Sequence, residues 1–384
     1  MCNDIIFDDI RPYNDSEVRQ GIDLLADSPG FFEFMERLWK GLDREMFINI
    51  TKDITTRDEF RLKFLIPFFK IVSDNTTSGV TVDGIEYLKP GKAYLFISDH
   101  RDIILDSAIL NIILADNGLM PTENAIGSNL LLNEWITALV KLNACFTVDR
   151  DIPIKDLKDA YIQRAQYIRS KVSNNESSIW IAQREGRTKD GDDRTQHSLL
   201  KMMNLSGQNG FVENFKELNI VPVAISYEFE PCDMFKTNEL YQKQLNNEYK
   251  KAPDEDLNSM IYGMASNKER VHFSIGKPLT IVLDDLEKLK STPEQYKALA
   301  DIIDYRIHAN YRLWPDNYIA YDLLKSTNEF SNRYTEEEKD AFINNMKLKL
   351  NKLNGEEKIL NKIYLEMYAN PVINYSNIEK PEFY

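Results

Sequence analysis

Histidine and cysteine are both scarce in this chain of 384 residues, which contains four histidines and three cysteines. The cysteines, Cys2, Cys145 and Cys232, lie far apart and form no Cys-x-x-Cys pair. Zinc clusters and disulfide frameworks need closely spaced or paired cysteines, so the sequence indicates neither. We therefore expect no metal, and a histidine placed at the turn between a strand and a helix stands out.

Long apolar runs are also missing from the chain. No stretch of about 18 consecutive apolar residues is present, so no transmembrane helix is expected. The N-terminus lacks a basic segment followed by an apolar one, so no signal peptide is expected, and the cytoplasm is the simplest compartment. The short apolar run at residues 64–72 contains Lys70 and is predicted to be a buried helix rather than an interfacial one.

Positively charged residues are fewer than negatively charged ones. The chain has 47 lysines and arginines and 61 aspartates and glutamates, which gives a net charge of −14. This balance argues against general attraction to nucleic acid or to anionic lipid. An anionic substrate would have to be bound by a local basic patch. The hydrophobic fraction of 43% and the charged fraction of 28% are typical of a soluble globular protein with a sizeable core.

The pattern of apolar residues divides the chain into three regions. Residues 1–78 are predicted to be a helical N-terminal region, residues 79–290 an α/β core, and residues 291–384 a helical C-terminal region. Within the core, strands alternate with helices, which predicts a mainly parallel central sheet flanked by helices on both faces. The predicted strands are residues 80–82, 85–88, 93–97, 125–126, 144–148, 178–183, 220–227 and 271–275.

One histidine directly follows a predicted buried strand. His100 comes after residues 93–97, and Asp106 follows at the start of an apolar helical pattern. A neutral imidazole can take a proton from a hydroxyl group, and a nearby carboxylate can set its tautomer and stabilise the imidazolium. Alone, this pair is more often an ordinary surface turn, so its interpretation depends on the rest of the chain.

Two further groups of polar residues follow predicted strands. Arg150 follows residues 144–148, and the run from Arg184 to Arg187 follows residues 178–183. Because ligands of open α/β sheets bind beyond the carboxyl ends of the strands, these groups are candidates for one crevice with His100. Arginine suits a phosphate group because its guanidinium donates two parallel hydrogen bonds, and Gly186 would let the backbone approach a ligand closely.

These features in order resemble the glycerolipid acyltransferase superfamily, whose members share four sequence blocks. The resemblance covers roughly residues 79–280. Each block is a weak signal alone, but four in order at plausible spacing are fairly specific. The blocks are His100 with Asp106, Arg150 after an apolar strand, the Glu185-Gly186 pair with Arg187, and Pro222 within the strand at 220–225.

The resemblance implies transfer of a fatty acyl group from an acyl carrier protein or coenzyme A thioester to a hydroxyl of a glycerol phosphate. It implies no cofactor other than the thioester co-substrate and no nucleic-acid partner. Because the product would be a lipid, it also implies a peripheral enzyme on the inner face of the membrane. The implied site residues are the base His100, its partner Asp106, the phosphate ligands Arg150, Arg187, Arg184 and Lys189, and the supporting residues Glu185, Gly186, Arg101 and Asp102.

Two departures from the family pattern leave alternatives open. Five residues separate His100 from Asp106, where the family has four, so Asp102 is a second candidate partner for the histidine. Arg187 directly follows Gly186, one position earlier than in many members, which leaves open whether Arg184, Arg187 or Lys189 contacts the phosphate.

Two other function classes compete with this interpretation. A thioesterase-like hydrolase would use a nucleophile such as Cys145, Ser107 or Ser128, although the chain has no Gly-x-Ser-x-Gly motif. A buried structural role is the better expectation for Cys145. The altered spacings would also fit a non-catalytic lipid-binding protein on the same fold.

Overall fold

A computed structural model describes residues 7–149, 152–153, 155–246, 249–252 and 255–381 of the chain. Its strands are β1 (Gly79–Asp83), β2 (Leu95–Ser98), β3 (Glu123–Gly127), β4 (Cys145–Val148), β5 (Ile179–Ala182), β6 (Ile220–Tyr227) and β7 (Arg270–Ile275). They form one sheet in the order β1-β7-β6-β2-β5-β3-β4. All neighbouring pairs are parallel except β6 and β7, which confirms the predicted mainly parallel sheet.

Helices cover both faces of the sheet and extend beyond it at both ends of the chain. The N-terminal helices are α1 (Asp15–Ala26), α2 (Pro29–Glu36), α3 (Arg44–Thr51), α4 (Arg57–Phe60) and α5 (Ile66–Thr76), with a π-helical turn at Arg61–Leu65. The helices of the core are α6 (Leu105–Asp116), α7 (Glu134–Leu142), α8 (Leu157–Ser173), α9 (His197–Leu205), α10 (Phe211–Lys216), α11 (Asp233–Leu245) and α12 (Glu255–Ala265). The C-terminal helices are α13 (Thr292–Asn310), α14 (Pro315–Lys325), α15 (Glu336–Leu350) and α16 (Glu357–Asn377).

Alternating side chains of the central strands enter two apolar cores, one on each face of the sheet. Phe96 of β2 and Trp180 of β5 belong to the core shared with α1, α5 and α6. Leu95 and Ile97 of β2 belong to the core shared with α8, α9 and α13. A third apolar cluster lies within α14, α15 and α16. Both added helical regions therefore pack through buried apolar side chains, while the predicted boundaries at residues 79 and 291 stay a prediction.

Two predicted elements differ from the structure. Residues 85–88 are predicted to be a strand, but Ile85–Tyr87 is a 3-10 turn and β1 pairs with the distant strand β7 instead. Gly84 makes this possible, because its φ of 82° is left-handed and a Cβ there would lie 1.9 Å from the carbonyl oxygen of Ile275. Because proline is favoured at the first position of a helix, a long helix is predicted to begin at Pro153. It begins instead at Leu157, after a turn in which the Asp156 amide donates to the Pro153 carbonyl.

Several helices between β5 and β7 are absent from the sequence-based prediction. They bury charged side chains as well as apolar ones; α11, for example, buries Asp233, Lys236 and Glu239. Apolar periodicity cannot identify a helix face that is buried through ion pairs and hydrogen bonds. As a result, the residues that surround the histidine from this part of the chain were not predicted.

In α14, Asp316 allows a prediction about stability and pH. It is 7% exposed, and its Oδ2 has no hydrogen-bond partner within the described part of the chain. Burial, followed by the negative charge of Glu228, raises the pKa of Asp316 from 3.8 to about 8. A carboxyl with a raised pKa binds its proton more tightly in the folded state, so its contribution to stability is lost as the pH rises from about 4 to about 8.

The free energy of unfolding of Asp316→Asn should therefore be about 1–3 kcal/mol higher than that of the parent at pH 8, so the variant is the more stable protein there. The difference should be smaller at pH 4. Urea unfolding of both proteins at the two pH values measures this difference. A difference that does not change with pH would show that Asp316 does not titrate as described.

Candidate active site

The turn after β2 places two aspartates in different environments. Oδ1 of Asp102 accepts hydrogen bonds from the backbone amides of Ile104 and Leu105, both at 2.9 Å, and so caps the start of α6. Asp106 lies in the first turn of the same helix and is fully buried. The cap allows the helix to begin next to the strand end, which brings Asp106 back towards the histidine.

His100 and Asp106 form a direct pair. Nδ1 of His100 lies 2.8 Å from Oδ2 of Asp106, and the imidazole side chain is 15% exposed. The same Oδ2 accepts the backbone amides of Arg101 at 2.6 Å and Asp102 at 3.0 Å. Because an ionised carboxylate only accepts, Nδ1 carries the proton of the neutral imidazole, and Nε2 is the nitrogen that can act as a base.

This geometry distinguishes between Asp106 and Asp102, the two candidate partners of the histidine. Asp106 contacts His100, whereas Asp102 caps the helix with one oxygen and packs against α12 with the other. A Cβ on Gly263 of α12 would lie 2.3 Å from Oδ2 of Asp102, so the helix backbone approaches this carboxylate closely. The extra residue between histidine and aspartate is accommodated by the capping turn. The catalytic role of either aspartate stays a prediction.

The neighbouring strand β5 supports the imidazole ring. Trp180 meets His100 edge to face, with ring centroids 5.3 Å apart. The indole Nε1 of Trp180 donates to Oγ of Ser98 at 3.0 Å, which holds the indole against the end of β2. The ring of His100 is therefore fixed by Asp106 on one side and Trp180 on the other.

The loop after β5 lies directly against the histidine turn. The backbone amide of Thr188 donates to the carbonyl oxygen of His100 at 2.8 Å. Its neighbour Arg187 is 8% exposed, and Nη1 of Arg187 is buried without a hydrogen-bond partner among the described residues. A buried guanidinium that keeps a donor unused is a suitable ligand for an anionic substrate group.

The other basic residues of this loop already have acidic neighbours. Nζ of Lys189 lies 2.9 Å from Oε2 of Glu239 in α11, and burial, followed by the positive charge of Arg187, lowers the pKa of Lys189 to about 8. Nη1 of Arg184 lies 3.9 Å from Oδ1 of Asp193, and the Arg184 side chain is 34% exposed. Among these three cations, Arg187 is the one that forms no ion pair within the described residues, and its side chain also contacts the Cys232 thiol.

The Glu185-Gly186 pair forms the exposed bend of the loop. Gly186 has a left-handed φ of 73°, and a Cβ there would meet no atom within 4 Å. The backbone conformation, rather than a steric contact, therefore favours glycine at this position. Glu185 is exposed, and its backbone amide donates to Oε1 of Gln196 at 2.9 Å. Its side chain has no described contact with the arginines.

The side chain of Arg101 supports the turn through ion pairs with acidic residues, and it has no described contact with the imidazole. Its Nε donates to Oδ2 of Asp99 at 2.8 Å, and its Nη1 lies 3.4 Å from Oε2 of Glu230. Lys236 of α11, which is 1% exposed, donates to the carbonyl oxygen of Arg101 at 2.7 Å and to Oε1 of Glu230 at 2.5 Å. This buried ionic cluster fixes the backbone beside His100. Lys236 and Glu230 were not predicted, because a charged residue in a polar stretch looks like a solvated one.

The remaining predicted site residue, Arg150, lies outside the described residues, so its placement stays a prediction. A cavity of about 510 Å³ lies between α13 and residues 377–381. Its lining includes Asp301 and Ile302 but neither member of the His100–Asp106 pair, so we do not assign it to the chemistry. Among the described residues, no group of three His, Cys, Asp or Glu side chains could hold a metal ion.

A match to known proteins agrees with this arrangement. Residues 79–227 match the family model described as Acyltransferase, a region that runs from the first residue of β1 to the last residue of β6. This region is therefore similar to acyltransferases, which agrees with the predicted resemblance to the glycerolipid acyltransferase superfamily and confirms the predicted class of acyltransferase. The matched region contains the His100–Asp106 pair and the loop of Arg187.

Among solved structures, the acyltransferase is similar to the 1-acyl-sn-glycerophosphate (LPA) acyltransferase PlsC from Thermotoga maritima. The identity is 13% and the TM-score is 0.38, with 74% of this chain and 91% of that chain covered. No curated protein matches the sequence. Within the described part of the acyltransferase, no helix has the length and apolar character that a membrane crossing requires.

The nucleophile candidates of the alternative hydrolase are not placed at the imidazole. Cys145 is the first residue of β4, at the opposite end of the strand from the site edge, and its Sγ lies 3.7 Å from the carbonyl oxygen of Asn143. Burial raises the pKa of the Cys145 thiol to about 12, which disfavours a thiolate. Oγ of Ser107 bonds the Ile104 carbonyl, and Oγ of Ser128 bonds Asp149.

Proposed function

We propose that this acyltransferase moves a fatty acyl group from an acyl carrier protein or coenzyme A thioester to a hydroxyl of glycerol 3-phosphate or 1-acylglycerol 3-phosphate, in phospholipid synthesis. One observation carries the proposal. The His100–Asp106 pair and the buried Arg187 lie on two loops that the Thr188–His100 backbone hydrogen bond joins. The proposed base and the proposed anion ligand therefore lie on adjoining loops at one edge of the sheet.

The proposed chemistry is a direct transfer. Nε2 of His100 takes the proton of the acceptor hydroxyl, and the oxygen attacks the carbonyl carbon of the thioester. The carbon–sulfur bond then breaks, the imidazolium returns its proton to the leaving thiolate, and the ester and the free thiol are released. Asp106 stabilises the imidazolium while it exists, and no covalent acyl-enzyme forms.

Arg187 supports the choice of a phosphate-bearing acceptor. Its unused Nη1 can donate to a phosphate oxygen, which would orient the acceptor hydroxyl towards His100 and turn a bimolecular encounter into an oriented one. The acceptor and product include lipids, so we also propose that the enzyme works at a membrane surface on the cytoplasmic side. No cofactor beyond the thioester is part of the proposal.

A transfer assay tests the proposal by crossing acyl carrier protein and coenzyme A thioesters with glycerol 3-phosphate, 1-acylglycerol 3-phosphate and unphosphorylated glycerol. We expect transfer to at least one phosphate acceptor and little transfer to glycerol. Release of free fatty acid with a trapped acyl-enzyme would instead indicate a hydrolase. Lipid binding without transfer from any donor would indicate a binding protein.

The same assay examines the phosphate ligand. Arg187→Ala should raise KM for the phosphate acceptor about 10- to 100-fold, because the loss of a charge-assisted hydrogen bond weakens binding, while KM for the thioester stays unchanged. Arg184→Ala is the matched control, since its more exposed side chain already lies near Asp193. An equal effect of the two variants would show that Arg187 is not the particular phosphate ligand.

A further inference from the structure

The second oxygen of Asp106 has a partner that the histidine pair does not explain. Oδ2 accepts the imidazole and two backbone amides, as described above, while Oδ1 accepts the hydroxyl of Tyr227 at 3.0 Å. Tyr227 is the last residue of β6 and is 1% exposed. Because β6 pairs directly with β2, the end of one strand delivers this phenol to the turn that begins at the end of the other.

The hydroxyl of Tyr227 is a donor under all ordinary conditions. Burial, followed by the negative charge of Asp106, raises the pKa of Tyr227 well above its usual value. The phenol therefore keeps its proton and can only donate that proton to the carboxylate. Asp106 itself is 0% exposed, so no solvent donor is available to replace the phenol at Oδ1.

We propose that Tyr227 is a positioning residue for the reaction: it locks the rotation of the Asp106 carboxylate and moderates how strongly that carboxylate holds the proton on His100. The proposal rests on the proposed role of His100 as the base. Tyr227 has no described contact with the imidazole and acts only through Asp106.

The direction of the effect follows from the hydrogen bonds of the carboxylate. A donor at Oδ1 spreads the negative charge of Asp106 over two well-bonded oxygens, which weakens its hold on the imidazolium. Without the hydroxyl, more charge remains at Oδ2, so the imidazolium is stabilised relative to the neutral imidazole. The carboxylate also loses the one partner that the described residues provide at Oδ1, so the angle at which it aims the imidazole becomes less well defined.

Other charged groups lie near the pair, and a Tyr227→Phe variant leaves their residue types unchanged. These groups are Asp99, Arg101 and Asp102 in the turn, Glu230 after β6 and Lys236 in α11. They also include Arg187 and Lys189 on the loop after β5 and Lys268 before β7. None of them bonds to the hydroxyl of Tyr227. A change in titration caused by removing this hydroxyl therefore reports on Asp106 and His100.

The test is Tyr227→Phe, which removes one oxygen and keeps the ring. The matched control is Tyr167→Phe, because Tyr167 is also a 1% exposed tyrosine whose hydroxyl donates to a buried carboxylate, that of Glu123, away from the site. The imidazole resonances of the full chain are titrated by NMR, with His100→Ala used to assign the resonance of His100. The kcat and KM values are measured across the same pH range in the transfer assay.

In Tyr227→Phe we expect His100 to keep its proton to higher pH than in the parent, and kcat to fall about 3- to 30-fold with KM nearly unchanged. The acid limb of the kcat profile should move to higher pH in the same direction. Tyr167→Phe should leave the His100 titration where it is in the parent.

Two results would overturn the assignment. One is an unchanged His100 titration in a folded Tyr227→Phe protein. The other is an equal shift in Tyr167→Phe, which would trace the change to general loosening. Because the NMR titration needs no turnover, a chain with no transfer activity would contradict the proposed function while still deciding whether Tyr227 acts on the pair.

Discussion

Replacement of His100 by alanine should lower the rate of acyl transfer about 10²- to 10⁴-fold, the range that positioned general bases contribute. The expectation follows from the geometry of the ring, which Asp106 and Trp180 hold so that only Nε2 remains to take a proton. The variant should still bind the phosphate acceptor, because Arg187 and the loop after β5 are unaffected. Initial rates at saturating thioester, together with equilibrium binding of the acceptor, measure the two effects separately.

The matched control for this variant is His197→Ala. His197 is the first residue of α9 and is exposed, and it has no described contact with the turn after β2. Its replacement should change the transfer rate less than twofold. Loss of activity below threefold in His100→Ala would assign the base to another group and would contradict the proposed mechanism.

The second large effect is expected for Asp106→Asn, which should reduce transfer on the order of 10³-fold. The amide can keep its oxygen towards the backbone amides of Arg101 and Asp102 and present its nitrogen to the hydroxyl of Tyr227. The turn therefore stays intact, while the negative charge that stabilises the imidazolium is gone. The loss should appear in kcat rather than in KM for either substrate.

Asp102→Asn provides the contrast. Asparagine keeps an oxygen that can accept the backbone amides of Ile104 and Leu105, so stability should change little. Transfer should stay within about threefold of the parent, because Asp102 caps the helix and has no contact with the imidazole. A larger loss of activity in Asp102→Asn than in Asp106→Asn would reassign the partner of His100.

Much of the fold could be predicted from local patterns. Short apolar runs followed by polar turns indicated β2, β5 and β6, and the helices between them indicated a parallel sheet. The errors lie where local patterns carry little information. Residues 85–88 have the alternation of a strand but form a turn, and α11 buries charges that a pattern of apolar residues cannot detect.

The sequence by itself determined that His100 follows a strand, that a carboxylate comes after it at the start of a helix, and that arginines follow later strands. These are properties of residue type and spacing, and they were enough to indicate an acyltransferase. Only the tertiary structure decided that Asp106 rather than Asp102 contacts the imidazole and that Arg187 keeps an unused buried donor. It also decided that the hydroxyl of Tyr227 donates to the second oxygen of Asp106. The reason is physical: the turn that Asp102 holds aims Asp106 at His100, and strand order brings Tyr227 to Asp106 across 121 positions. Neither is encoded in the spacing of neighbouring residues.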